Sequence, residues 1–121
     1  MLTLGSPRRW VHWEAAGIDL LLSPLTEDRN AEFVRECVLL VDGANGEPRL
    51  DRDSARYARS VGAECIHGWR GVAGEDGQAV EHSAAAAGEL MMIRPAQAFV
   101  FEAVRGISLW LAEEADAAKK G

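Results

Sequence analysis

Long apolar runs are missing from this chain. Nowhere do about 18 apolar residues follow one another, so the sequence offers no candidate membrane-spanning helix. Cysteine is scarce: Cys37 and Cys65 are the only two, and they stand too far apart for a Cys-x-x-Cys pair. Both sit within apolar patterns and read as small core residues. Positive charge is also in short supply, with 13 Lys and Arg against 19 Asp and Glu and a net charge of −6. A phosphate backbone requires a basic face, so this balance argues against nucleic acid as a main partner. Residues 1 to 25 carry Arg8, Arg9, His12, Glu14 and Asp19 where a secretory leader would need a continuous apolar core. The expectation is a soluble, cytoplasmic protein with no membrane association.

What is present suits an ordinary core. The apolar share is 48% and the charged share 26% over 121 residues, enough for one compact domain spanning 1–121 without disulfides or metals. Residues 1–7, ending in Gly5-Ser6-Pro7, read as a loose lead-in. Arg9 to Trp13 and Ile18 to Leu22 flank a turn ending in Gly17, which predicts a β-hairpin over 9–22. Trp10, His12 and Glu14 share one of its faces, Val11 and Trp13 the other. A lone hairpin is marginal in water, so this one must lie on something apolar.

Thr26 is a good cap for a helix over 26–42, with Glu27 and Asp28 in its first turn. Phe33, Cys37 and Leu40 follow helical spacing there, although the dense Cys-Val-Leu-Leu-Val run also suits a buried strand. Gly43 offers a stop and favours the helix. A second helix is expected over 51–67, capped by Asp51 or Asp53, with Tyr57, Ala58, Val61, Cys65 and Ile66 on one side. Gly62 within it costs roughly 1 kcal/mol against Ala, which suggests close approach by another element. Gly68 fits the residue after the helix end, sending Trp69 back over the helix it has left. Asp76-Gly77 favours a tight turn, so Val72 to Val80 reads as a small reversal. Ser83 caps a helix over 83–93, and Pro95 opens a last one over 95–114 before a flexible tail, 115–121. The fold class expected is mainly α, with a small N-terminal β-hairpin and about four helices.

Chemistry is weakly signalled. Cys65, His67 and His82 are possible ligands or catalytic groups, yet no metal-ligand spacing joins them, and no Gly-x-Ser-x-Gly elbow occurs. Gly68, Gly71, Gly74 and Gly77 do not make a phosphate loop, because no Gly-Lys-Ser/Thr follows and Glu75-Asp76 would repel a phosphate. No enzyme, cofactor or metal is expected. Four tryptophans are more than a core of this size requires, and Trp is a preferred interface anchor. Taken singly, Trp10, Trp13, Trp69 and Trp110 each read as core residues; all four are not expected inside, and Trp10, Trp13 and Trp69, with Val72, are the expected partner-binding residues.

Two segments carry a resemblance. Trp13-Glu14-Ala15-Ala16-Gly17-Ile18-Asp19-Leu20-Leu21-Leu22-Ser23-Pro24-Leu25-Thr26 is similar to an opening hairpin that leads through Pro-Leu-Thr into a helix. Gly68-Trp69-Arg70-Gly71-Val72, followed by Glu75-Asp76-Gly77, is similar to a Gly-Trp-x-Gly-Val…Asp-Gly segment. Together they resemble the tail assembly chaperones of long-tailed bacteriophages with non-contractile tails. Cys37 to Pro48 departs from that pattern, as does His82-Ser83. The resemblance implies a binding protein of the host bacterial cytoplasm, absent from the mature virion. It implies that the chain coats the tape measure protein, recruits tail tube subunits and associates with itself. The competing expectations are another phage adaptor, such as a head–tail joining protein, or a small metal-binding protein or enzyme.

Overall fold

The computed structural model describes residues 7–120. The lead-in residues 1–6 and the final Gly121 lie outside the described residues. The chain runs β1 (Arg9–Trp13), β2 (Ile18–Leu22), α1 (Glu27–Glu36), β3 (Val38–Asp42), β4 (Pro48–Arg52), α2 (Ser54–Cys65), β5 (Ile66–Arg70), α3 (Ala84–Leu90) and α4 (Arg94–Lys120). The fold is therefore not mainly α. Among the described residues, four helices and five strands in two sheets make it an α+β mixture.

The larger sheet has the order β1-β2-β5, antiparallel throughout. Trp13 and Gly17 close the first turn, the Gly17 N–H donating to the Trp13 carbonyl at 2.9 Å with φ +67° at the glycine. Alternation along β2 then buries Ile18, Leu20 and Leu22 on one face, against α2 and α4.

Two expected helices end early, and strands replace their ends. Thr26 Oγ1 does cap α1, accepting from the Arg29 N–H at 3.2 Å. The helix nevertheless stops at Cys37, and Val38–Asp42 turns back on Pro48–Arg52 as a separate two-stranded ribbon. β-Branched residues favour the extended form, and Gly46 at φ +75° closes the turn. The helix expected over 51–67 begins later, at Ser54, where Asp53 Oδ1 accepts from the Arg56 N–H at 3.1 Å. It ends at Cys65, because Ile66–Arg70 completes the first sheet beside β2. Gly68 is thus a strand residue, not a helix terminator. The positive φ belongs to Gly71, at +89°, where the chain leaves β5.

Ser83 Oγ caps α3, accepting from the Ala86 N–H at 3.0 Å. The last helix runs to Lys120 and so takes up most of the expected tail. Its Ala96, Val100, Val104 and Ile107 form a buried stripe facing Leu20, Leu22, Val61, Cys65, Ile66 and Met91. A Cβ at Gly62 would lie 2.5 Å from Met91 Cγ and 3.0 Å from the Ala87 carbonyl oxygen. That glycine lets α2 and the α3 end pack almost backbone to backbone.

Candidate functional site

Three of the four candidate residues surround one concave surface. Trp13 leaves β1 on the inner face and stacks on Phe99 of α4, ring centroids 5.2 Å apart and planes 13° from parallel. Trp69 lies opposite Leu20 in the sheet register, so it too leans inward. Its indole N–H donates to the Val80 carbonyl at 2.8 Å, and its ring meets the His82 ring edge-on at 5.1 Å. The reversal after β5 supplies that carbonyl. The Val80 N–H donates to the Val72 carbonyl at 2.9 Å, and Gly77 turns the chain at φ +76°. Trp69 therefore clasps the loop that follows it, not the helix that precedes it.

Between these two indoles lie adjoining hollows of about 360 and about 280 Å³. They share Val72, Ala73, Leu90 and Ile93; Trp69 borders the first and Trp13 the second. Ile93 is 55% exposed at the α3–α4 junction, an apolar side chain in an open position. Glu75 and Glu89 stand on the rim beside Trp69. An apolar floor with an acidic rim suits a polypeptide segment that carries an apolar anchor flanked by basic residues.

Trp10 lies elsewhere. Alternation places it on the outer face of the sheet, 42% exposed, with the Arg70 guanidinium carbon 3.9 Å from its ring centroid. His12 and Asp19 share that face in a 2.8 Å pair. The fourth tryptophan, Trp110, is also exposed, beneath Arg9.

The residues with possible chemistry are turned to structural use. His67 Nε2 and Ser23 Oγ share a 2.7 Å hydrogen bond, a distance at which a base can activate a hydroxyl. Ser23, however, is only 3% exposed, and its N–H is given to the Cys65 carbonyl, so the two bonds fasten the chain after β2 to the junction of α2 and β5. Burial holds the His67 pKa below its usual value, with the charges of Arg8 and His82 acting the same way and Glu64 opposing them. Burial likewise pushes the Cys65 thiol up to about 12, helped by Glu64 and opposed by the Ser23 hydrogen bond, which leaves it unreactive. His82 Nε2 donates to the Ile66 carbonyl at 2.8 Å. Among the described residues no three His, Cys, Asp or Glu side chains gather to hold a metal ion. No helix among them is long and apolar enough to cross a membrane.

The two most exposed large apolar side chains among the described residues lie where the sequence did not place a surface. The β3–β4 ribbon presents Leu40 and Leu50 at 72% and 69% exposure, with Val38 and Leu39 also exposed. The strand-favouring Cys-Val-Leu-Leu-Val run was the available signal, and its exposure was not visible in it. Ile93 was likewise absent from the expected set, since Leu90 to Ile93 reads as a continuous apolar stretch.

Compared with family models, curated proteins and solved structures, the chain matches none.

Proposed function

We propose that this protein is a phage or prophage tail assembly chaperone whose hollow between Trp13 and Trp69 holds a segment of the tape measure protein. The reading rests on one observation above others. The resembling segment Gly68 to Val72 supplies both an anchored indole and one wall of an open apolar surface, and β1 and the α3–α4 junction supply the rest. A binding surface of modest size with charged edges suits a chaperone that must release its client when tail tube subunits arrive. The acidic rim would favour a client segment with Lys or Arg beside its apolar anchor.

The test is co-expression with the tape measure protein of the same genome, followed by affinity capture. Trp69→Ala and Ile93→Ser should each weaken capture about tenfold or more, as loss of an interface anchor does. Leu109→Ser, on an exposed part of α4, should leave it unchanged. Equal capture by wild type and by folded Trp69→Ala and Ile93→Ser proteins would refute the assignment.

A further inference from the structure

The β3–β4 ribbon carries a second surface, and its charge order selects an occupant. All five residues of β4 are exposed, and among the described residues its only strand neighbour is β3. The Gly43 N–H donates to Glu47 at 2.7 Å and the Asp53 N–H to Cys37 at 2.9 Å. With the register Val41↔Arg49 and Leu39↔Asp51, alternation assigns the backbone groups of Arg49 and Asp51 to β3. The N–H and carbonyl groups of Leu50 and Arg52, and the Pro48 carbonyl, therefore point outward along the edge, where the Arg52 N–H donates to Asp51 Oδ1 at 2.8 Å. Such an edge is a template for another strand.

Few strands fit it. Arg49 and Asp51 share one face, 3.6 Å apart and both more than half exposed, with Leu50 between them on the other face. We propose that β4 pairs antiparallel with β4 of a second copy about a two-fold axis at Leu50, joining two ribbons into one four-stranded sheet. In that register Leu50 exchanges both backbone bonds with its twin, and each Arg52 N–H trades its Asp51 Oδ1 acceptor for the opposing Pro48 carbonyl, which frees the Asp51 carboxylate for the partner's Arg49. Pro48 has no N–H to give, so the added ladder ends there. Arg49 faces the partner's Asp51, and Asp51 the partner's Arg49, in the closely spaced pairs where opposite charges stabilise. Moving the axis to Arg49 sets arginine against arginine, and moving it to Asp51 sets aspartate against aspartate. Axes that fall between residues put outward-facing backbone groups against inward-facing ones. Of the axes at Arg49, Leu50 and Asp51, charge thus selects Leu50, and an axis at Pro48 fails for want of its N–H. This inference rests on the edge and charge order of the ribbon itself, and is independent of what fills the hollow beside Trp69.

The experiment uses R49D and D51R, both at exposed positions, in the full chain, with circular dichroism to confirm folding. Sedimentation equilibrium should show wild-type dimers and an at least tenfold weaker association for either variant alone. An equimolar mixture of R49D and D51R should associate again, because each then faces opposite charge; the exposed Arg49–Asp51 contact within one chain predicts no such rescue. L50C should oxidise readily to a cross-linked dimer, since directly opposed residues of this kind lie about 5.5 Å apart at Cα. Wild-type protein that stays monomeric near millimolar concentration would overturn the proposal, as would a mixture with no rescue. Cross-linking through L40C but not L50C would overturn it in favour of the β3 edge. Capture of the tape measure protein by these variants is a separate readout, so failure of the ribbon contact and failure of the client site are distinguishable.

Discussion

The two hairpins of this protein are built alike and treated differently. Each has antiparallel five-residue strands and a glycine at positive φ in its turn, Gly17 at +67° and Gly46 at +75°. In the first, β2 is sandwiched between β1 and β5, and one face lies on α2 and α4; Leu20 is wholly buried. In the second, no third strand joins among the described residues, and the leucines face outward. Its attachment is at the base. Asp53 bonds to Cys37, Arg56 Nη1 donates to the Glu36 carbonyl at 3.0 Å, and Arg52 lies over Tyr57. Burial here comes from what the chain brings alongside a ribbon, not from the ribbon's own apolar content. The first hairpin is fixed to the core, with Trp13 at the border of the hollow, and the second stands exposed.

The sharpest way to break that contrast is a pair of truncations. Leu20→Ala removes a fully buried side chain and should lower unfolding free energy by about 2–5 kcal/mol. Leu40→Ala should stay within about 0.5 kcal/mol of wild type. Equal losses in denaturant melts would show that the second ribbon is part of the core after all. A smaller effect sharpens the contrast one layer down. Ala normally improves on Gly in a helix, yet Gly62→Ala should destabilise by about 1–3 kcal/mol, because its methyl meets Met91 and the Ala87 carbonyl. A gain in stability would mean that α2 and α3 are not in close contact beneath the first hairpin.

The smallest expected effect concerns pH. His67 is held neutral by burial, so its folded pKa lies below its unfolded value of about 6.5. Its contribution is therefore fully present above that value and is lost as pH falls toward the folded pKa, the unfolded chain taking up the proton first. Wild type should lose stability from about pH 6.5 downward more steeply than His67→Gln. Parallel curves would show that burial does not disfavour the charged form of His67.

Local features were legible in the sequence. Thr26 and Ser83 cap helices through hydroxyls three residues from the N–H they accept, and Asp76-Gly77 turns the chain; each depends only on neighbours. The strand alternation that separates Trp10 from Trp13 was legible for the same reason. The helix ends were not. Phe33, Cys37 and Leu40 keep helical spacing past the true end of α1, and Cys65 and Ile66 extend the pattern of α2. In both places a partner strand, β4 for β3 and β2 for β5, draws the chain out of the helix, and no local rule anticipates it. The hollow was hidden by the same distance along the chain. Trp13 and Trp69 approach it because β2 pairs with both their strands.

The most direct measurement is a titration of nitrogen-15-labelled protein with a soluble segment of the tape measure protein, following the four indole N–H signals by NMR. The account predicts that Trp13 and Trp69 shift with saturation while Trp10 and Trp110 stay in place. Shifts confined to Trp10 and Trp110, or none at all, would contradict it.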